Sequence, residues 1–198
     1  MPRSDREELI LRVAGRVFAE GGYDRASMDR IAALAGVSKP MLYAYFGSKE
    51  GLYVAYIERT GGELVQRLVG ADRADGQSGR LRAVISEFLG FVEEHRDGWT
   101  VLFRELNTRQ PLADQVGQLR SRIVDEVRRM LENGAEDGAA RSGLRPPASE
   151  GVAEAIVGAG EALANWWLMR PEVGRGDVTD WYVGLTRAAI TAATRQES

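Results

Sequence analysis

The sequence predicts an all-α protein, in which a short three-helix unit is followed by a longer helical body. Apolar residues recur at intervals of three and four along most of the 198 residues, which is the period of an amphipathic helix. No stretch has the two-residue alternation of a convincing strand, and there is no internal repeat. The most informative stretch, from Ser27 to Lys49, has the caps and the tight turn expected between two short helices.

The first helix is predicted from about Arg6 to Glu20, after a disordered arm formed by residues 1–5. The pair Gly21–Gly22 ends it, because glycine readily adopts the left-handed conformation of a helix end. Its apolar residues form one stripe, which consists of Leu9, Ile10, Val13, Ala14, Val17 and Phe18.

The second and third helices are short and tightly joined. The hydroxyl of Ser27 can cap the second helix, and Gly36 lies where a left-handed residue would end it. Ser38 can cap the third helix in the same way. Leu42 and Phe46 share one face of this third helix, so we expect both to pack inward.

Six further helices are predicted in the body. They run approximately from Ser48 to Val69, from residue 80 to Glu94, from Trp99 to Asn107, from Leu112 to Glu136, from Ser149 to Met169 and from Val178 to Thr194. Gly61–Gly62 could bend the first of them, since glycine lowers helix stability by ~1 kcal/mol, and residues 70–79 have the composition of a polar linker. We expect a domain boundary after the third helix, which divides the chain into residues 1–47 and 48–198.

The composition is that of an ordinary globular protein, with 44% hydrophobic and 28% charged residues. No apolar run approaches the ~18 residues that span a bilayer, and the charged start, MPRSDREE, lacks the apolar segment of a signal peptide. The absence of cysteine excludes disulfides, thiolate metal sites and a cysteine nucleophile. We therefore expect a cytoplasmic protein with no membrane partner.

The third helix has the chemistry of a surface that enters the major groove of DNA. With its apolar face packed inward, the other faces carry a cation, two tyrosine hydroxyls and a methionine. The net charge of the chain is −3, but the segment from Arg25 to Lys49 has a local charge of +3 and contains both lysines of the chain. This distribution favours a nucleic-acid surface, although codon bias is an alternative explanation for the placement of the lysines.

The segment from Arg6 to Glu58 resembles the amino-terminal domain of TetR-family transcriptional regulators. The resemblance rests on FAEGGY at Phe18–Tyr23, on IAxxAGVS at Ile31–Ser38 and on LYxYFxSKExL at Leu42–Leu52. It implies an all-helical homodimer with a DNA-binding head and a ligand-sensing body. The rest of the chain resembles the family only in its length and helical pattern.

Residue-by-residue matching to the family places the DNA-contacting positions at Ser27, Arg30, Ser38, Lys39, Met41, Tyr43, Tyr45 and Lys49. Lys39 can reach either a phosphate or guanine O6 and N7, and Met41 can contact a thymine methyl. Two heads related by a two-fold axis would read a near-palindromic double-stranded operator. The alternative is a helix-turn-helix that serves only for packing.

The body contains aromatic and polar residues that would suit a pocket for a small amphipathic organic effector. We predict that its lining includes Phe88, Phe91, Trp99, Phe103, Asn165 and Trp166. For any one of these side chains, a place in the hydrophobic core is the alternative. The only histidine, His95, has no other metal ligand at a suitable spacing, and no cofactor is expected.

Small residues recur one turn apart in the last two helices, where they would let two helices approach closely. They are Gly158 and Ala162 in one helix, and Gly184, Ala188 and Ala192 in the other. In the family these two helices pair with their copies in a dimer, whereas tight packing within one subunit is the alternative.

The favoured function is a ligand-responsive, homodimeric transcriptional repressor. No catalytic Ser-His-Asp set, phosphate-binding glycine loop or metal-ligand spacing is found, so we do not expect an enzyme. A regulator without a small-molecule effector, controlled by a partner protein or acting as an activator, is the first alternative. A helical carrier or enzyme that has lost DNA binding is the second. The operator, the regulated genes, the effector and the sign of regulation are left open.

Overall fold

The computed structural model describes residues 2–74, 79–104, 112–133 and 144–196. Within these ranges every regular element is a helix, so the all-α prediction is confirmed. In chain order the helices are α1 (Arg3–Arg25), α2 (Met28–Ala35), α3 (Lys39–Phe46), α4 (Lys49–Ala74), α5 (Arg80–Glu94), α6 (Arg96–Arg104), α7 (Leu112–Glu132), α8 (Ala148–Leu168) and α9 (Arg175–Gln196). None of these described helices is long and apolar enough to cross a membrane.

The first helix differs from its prediction at the start. It begins at Arg3, so the prediction of a disordered arm is wrong for residues 3–5. The side chain of Asp5 favours this early start, because a negative charge in the first turn complements the positive end of the helix dipole. At the other end, Gly22 has φ 71° and ψ 172°, which breaks the helix at the predicted glycine pair before one more turn reaches Arg25.

The helices after α4 begin at or slightly before their predicted starts. α6 and α9 each begin three residues early, at Arg96 and Arg175. Each has an acidic side chain in its first turn, which stabilises the added residues. The predicted ends of α6 at Asn107 and of α7 at Glu136 lie outside the described residues.

The fourth helix runs as one α-helix from Lys49 to Ala74, so the bend predicted at Gly61–Gly62 is wrong. Residues 70–74 are helical as well, so the linker prediction is wrong for these residues, and residues 75–78 lie outside the described residues. Gly61 has a different role, because the side chain of Leu119 on α7 occupies the space that a β-carbon would need.

The chain divides into two compact units. The first unit comprises Met1–Gly62 and His95–Leu119, and the second comprises Glu63–Glu94 and Arg120–Ser198. The helices α2 and α3 therefore belong to a unit that also contains α6 and the first part of α4. The predicted domain boundary after residue 47 falls inside the first unit and stays a prediction.

The first unit is built around α1, which packs against α2 and α6. The ring of Phe18 stands edge-on to that of Tyr53, with the centroids 4.9 Å apart. The Tyr53 hydroxyl donates a 3.5 Å hydrogen bond to the carbonyl oxygen of Val101 on α6. Gly15 lets the ring of Tyr56 approach the backbone of α1, because a β-carbon there would overlap the ring. These contacts join α1, α4 and α6 into the support on which α2 and α3 rest.

In the second unit, α9 packs against both α5 and α8. The hydroxyl of Tyr182 donates a 2.7 Å hydrogen bond to the carbonyl oxygen of Ile156, which ties α9 to α8. Arg120 connects α7 to α8 through an ion pair with Glu161 at 3.1 Å. Glu161 is partly buried, and this burial raises the pKa of its carboxyl despite the nearby guanidinium.

Candidate nucleic-acid interface

Two serine caps and one left-handed glycine fix the geometry of the helix-turn-helix. The hydroxyl of Ser27 accepts a 3.5 Å hydrogen bond from the backbone N–H of Arg30 at the start of α2. Gly36 caps the carboxyl end of α2 with a left-handed φ of 66°, which glycine adopts readily because it has no β-carbon. The hydroxyl of Ser38 then accepts from the N–H of Met41, at 3.3 Å, and so caps α3. The predicted caps and turn are therefore confirmed.

The third helix is held against the rest of the first unit mainly by Leu42, which is completely buried. Phe46 is only half-buried, so the second predicted anchor contributes less than expected. Gly47, with φ 72°, ends the helix. The hydroxyl of Ser48 then caps α4 by accepting a 2.9 Å hydrogen bond from the N–H of Gly51.

The remaining side chains of α3 face outward to different degrees. Lys39 is exposed and Tyr43 has 41% of its surface exposed, whereas Met41 and Tyr45 are half-buried. The guanidinium of Arg3 lies 5.2 Å from the centre of the Tyr45 ring, so the start of α1 covers part of this tyrosine. Tyr43 and Lys39 are consequently the most accessible of the predicted contact residues on this helix.

Each predicted DNA-contacting cation already has a partner within the first unit. Arg30 forms an ion pair with Glu20 of α1, and Lys39 Nζ lies 2.9 Å from an oxygen of Asp29 on α2. The hydrogen bond with Asp29, followed by its charge, raises the pKa of Lys39, which stays protonated at neutral pH.

The second lysine is held differently from the first. Lys49 Nζ donates a 3.1 Å hydrogen bond to the backbone carbonyl of Asp24. The same nitrogen lies 4.5 Å from the centre of the Tyr23 ring, within the range of a cation–π contact. Sequence reasoning missed these hydrogen-bond partners, because they lie 10 or 25 residues away along the chain and only the fold brings them together.

Two helix ends in this region can attract an anion. The amino-terminal ends of α2 and α4 offer backbone N–H groups and the positive ends of helix dipoles, which favour phosphate. Between them lies a short helix with accessible amine and hydroxyl donors. Five of the eight predicted contact residues lie on α2 or α3, Ser27 and Ser38 cap these two helices, and Lys49 is the first residue of α4.

The six residues predicted to line an effector pocket do not share one environment. Trp99 belongs to the first unit and is almost completely buried. In the second unit, Phe91 is fully buried, and Phe88 is half-buried with its ring centre 6.2 Å from that of Tyr182. Asn165 and Trp166 are both exposed.

The side chain of Phe103 lies outside the described residues. The pocket as a whole therefore stays a prediction. In the part of the chain that the structure describes, no group of three or more acidic or histidine side chains could hold a metal ion.

Two family models match the sequence. Residues 10–56 match the model described as bacterial regulatory proteins, tetR family. Residues 77–189, more than half of the chain, match the model described as tetracyclin repressor-like, C-terminal domain. The first match contains α2, α3 and their caps, so it coincides with the candidate interface.

Individual proteins agree with the family models. The HTH-type transcriptional activator FasR of Mycolicibacterium smegmatis is 33% identical over 170 residues, which cover 85% of this chain and 74% of FasR. The nucleoid occlusion factor SlmA of Pectobacterium carotovorum is 30% identical over 145 residues, which cover 69% of this chain and 71% of SlmA.

A crystal structure of a TetR-like transcriptional regulator from Rhodococcus sp. RHA1 has a TM-score of 0.77 and 35% identity. The match covers 96% of this chain and 98% of that one. The fold and the capped α2–α3 pair define a helix-turn-helix transcriptional regulator. The chain belongs to the TetR family.

Proposed function

We propose that this protein is a homodimeric, ligand-responsive repressor that binds a near-palindromic operator through α2, α3 and the start of α4. The observation that carries the proposal is the capped reading helix α3, which is anchored by Leu42 and exposes Lys39 and Tyr43. The described elements are all helices, the sequence has no cysteine, and the family consists of transcriptional regulators. On these grounds we infer a cytoplasmic regulator and not an enzyme.

On DNA, the eight residues would divide the contacts by chemistry. Ser27, Lys49 and the two tyrosine hydroxyls can bind phosphate oxygens and set the register of the head on the duplex. Lys39 and Met41 can reach base edges from the start of α3. Arg30 is available for phosphate once it exchanges Glu20 for the DNA backbone.

The surfaces of α8 and α9 support a dimer. Trp166 and Trp181 are exposed and lie edge-to-face with their centres 6.1 Å apart, and the neighbouring Leu185 has 53% of its surface exposed. Monomeric proteins rarely leave such a cluster open to water. Gly184 and Ala188 are exposed too, and a β-carbon on Gly184 would meet nothing within 4 Å. This exposure favours contact with a second copy over packing within the subunit.

We further propose a small amphipathic organic effector that binds the helical body. The proposal rests on the match of residues 77–189 to the tetracyclin repressor-like domain. A ligand releases DNA only if it binds more tightly to a conformation in which the reading helices are poorly placed. α4 contributes residues to both compact units, so it offers a continuous covalent route for that change.

The second candidate is an activator that uses the same DNA surface. FasR is by name an activator and is 33% identical to this chain. The DNA surface does not determine the sign of regulation, because the sign depends on where the operator lies relative to the promoter. Regulation by a partner protein in place of a small molecule is the corresponding alternative for the effector.

One experiment tests the core of the proposal. The full chain is used to enrich duplexes from a randomised DNA pool, and binding of the enriched duplex is measured by gel shift at several salt concentrations. We expect a near-palindromic consensus and affinity that falls steeply with salt. Equal binding to every duplex would argue against a specific regulator. Transcription from a promoter that carries the consensus, with and without the protein, then separates a repressor from an activator.

A further inference from the structure

The two lysines of this chain have partners of different charge. Lys39 is the first residue of α3, and its Nζ lies 2.9 Å from an oxygen of the Asp29 carboxylate. Lys49 instead donates to the neutral backbone carbonyl of Asp24 and lies over the ring of Tyr23. The charge of Lys39 is therefore compensated at short range by an anion, whereas these two contacts leave Lys49 with its full positive charge.

A compensated ammonium is a weaker anchor for phosphate. A phosphate that approaches Lys39 must displace the Asp29 carboxylate or accept a like charge beside it, because 69% of the Asp29 side chain is exposed on this surface. Guanine O6 and N7 are acceptors without a net charge, so the carboxylate repels them much less than it repels a phosphate. An ammonium has three N–H donors, so Lys39 can give one to Asp29 and still offer two to a base edge.

The ion pair with Asp29 also restricts where the Lys39 amine can lie. A flexible lysine side chain samples many rotamers in water, and an ion pair to the neighbouring helix limits them. The pair joins α2 to the amino-terminal end of α3, where residues that contact base edges commonly lie. Asp29 also offsets the unfavourable position of a cation at the positive end of a helix dipole.

We propose that Asp29 is a specificity-determining residue, which positions Lys39 as a hydrogen-bond donor to a base edge and keeps it from serving as a general phosphate anchor. The inference rests on the proposed DNA-binding function and assigns different roles to the two lysines. Lys49 holds the backbone of any duplex, and Lys39 acts mainly on the correct sequence.

The test compares affinity for two duplexes. One is the duplex that the wild-type chain enriches from a randomised pool, and the other is a scrambled duplex of the same composition. For Asp29→Asn, affinity for the scrambled duplex should rise about 5- to 10-fold at 0.1 M salt, because one more cation per head becomes available to phosphate. The salt slope should steepen by about 1 for each bound reading helix. Affinity for the enriched duplex should rise less, so the ratio of the two affinities should fall.

A matched control separates position from net charge. Glu8→Gln removes the same charge from an exposed ion pair in the same compact unit, in which Glu8 of α1 binds Arg59 of α4 at 2.8 Å. Because this pair lies on neither α2 nor α3, both the affinity ratio and the salt slope should match those of wild type. The melting curve of Glu8→Gln should overlay that of wild type, since exposed ion pairs contribute little to stability. Asp29→Asn should melt slightly earlier, because Asp29 lies in the first turn of α2, where a negative charge complements the helix dipole.

A second background tests whether Asp29 acts through Lys39. In Lys39→Ala, adding Asp29→Asn should leave the salt slope and the affinity ratio unchanged. A persistent effect in that background would mean that Asp29 repels phosphate directly, and it would overturn the inference. An unchanged ratio and slope in the single variant Asp29→Asn would overturn it as well. If the wild-type chain enriches no duplex, the proposed function fails and the inference fails with it.

Discussion

Gly61 of α4 and Leu119 of α7 lie so close together that the leucine side chain fills the position of a β-carbon on the glycine. Leu119 is itself buried, with 3% of its surface exposed. The next residue, Gly62, has open space at the same position, although it belongs to the same helix. Two adjacent glycines therefore serve different purposes.

This difference gives substitutions of opposite sign. Gly61→Ala should destabilise the protein by roughly 1–3 kcal/mol, because the added methyl group must push a buried leucine aside. Gly62→Ala should stabilise it by up to about 1 kcal/mol, because alanine has the higher helix propensity and meets no neighbour. Urea unfolding of both variants measures the two effects. Equal effects of the two substitutions would contradict the close contact between α4 and α7.

Lys39 and Tyr43 should matter for DNA binding and not for folding. Lys39→Ala and Tyr43→Ala should each weaken binding to the enriched duplex by roughly 1–3 kcal/mol. Their melting temperatures should change little, because Leu42 provides the packing of α3. Arg59→Ala is the control, since it removes an exposed cation that lies on α4 and pairs with Glu8 of α1. If both variants bind as the wild type does, a different face of α3 reads the DNA.

Ala188→Arg should separate the subunits. Ala188 is exposed in a single chain, so the substitution should leave the fold of each subunit intact. In a close dimer contact it would bury an unpaired cation, which is costly. Sedimentation should then detect monomers, and affinity for a two-fold operator should collapse. Ser121→Arg, on the exposed side of α7, is the control. A variant that remains dimeric would place the subunit contact elsewhere.

The stability of the protein should fall at alkaline pH, partly through Tyr56. Burial raises the pKa of Tyr56 from its ordinary value of 10.0 to about 12. Below pH 10 the phenol is neutral in both the folded and the unfolded state, so its full contribution is present. Between pH 10 and 12 the unfolded chain loses this proton first, and the free energy of unfolding should drop by about 2–3 kcal/mol.

Tyr56→Phe isolates this effect, because phenylalanine cannot ionise. Urea unfolding at pH 9 and at pH 11.5 should give a smaller difference for the variant than for the wild type. All other ionisable groups are the same in both proteins, so only the difference between the two is informative. The same alkaline loss in both proteins would mean that the Tyr56 ring is more accessible to water than its packing against Gly15 indicates.

The effector prediction needs a gentler substitution at Trp99 than truncation. Trp99 is almost completely buried, so Trp99→Ala should cost roughly 3–5 kcal/mol of stability and confuse any measurement of binding. Trp99→Phe keeps most of the volume. With a compound that releases the operator, the variant should respond at higher concentrations while its ligand-free DNA binding stays normal. An unchanged response would place the pocket away from Trp99.

The helix-turn-helix could be predicted in detail because its determinants are local. Each of its features, the cap by Ser27, the cap by Ser38 and the left-handed turn at Gly36, depends on residues within about one helical turn of that position. The role of Gly61 could not be predicted, since it depends on Leu119, which lies 58 residues further along the chain. The helical spacing of apolar residues places Trp166 on an apolar helix face. That spacing is the same whether the face packs inside the subunit or is left open to another chain, so the exposure of Trp166 could not be predicted either.

The contact between Arg3 and Tyr45 affects how binding should be measured. Because Arg3 lies over the ring of Tyr45 on α3, a peptide added to the amino terminus would lie near the surface proposed to meet DNA. A polyhistidine tag at that end would bring titratable imidazoles close to the phosphates and would alter both the apparent affinity and its dependence on salt. Affinities should therefore be compared only after such a tag has been removed.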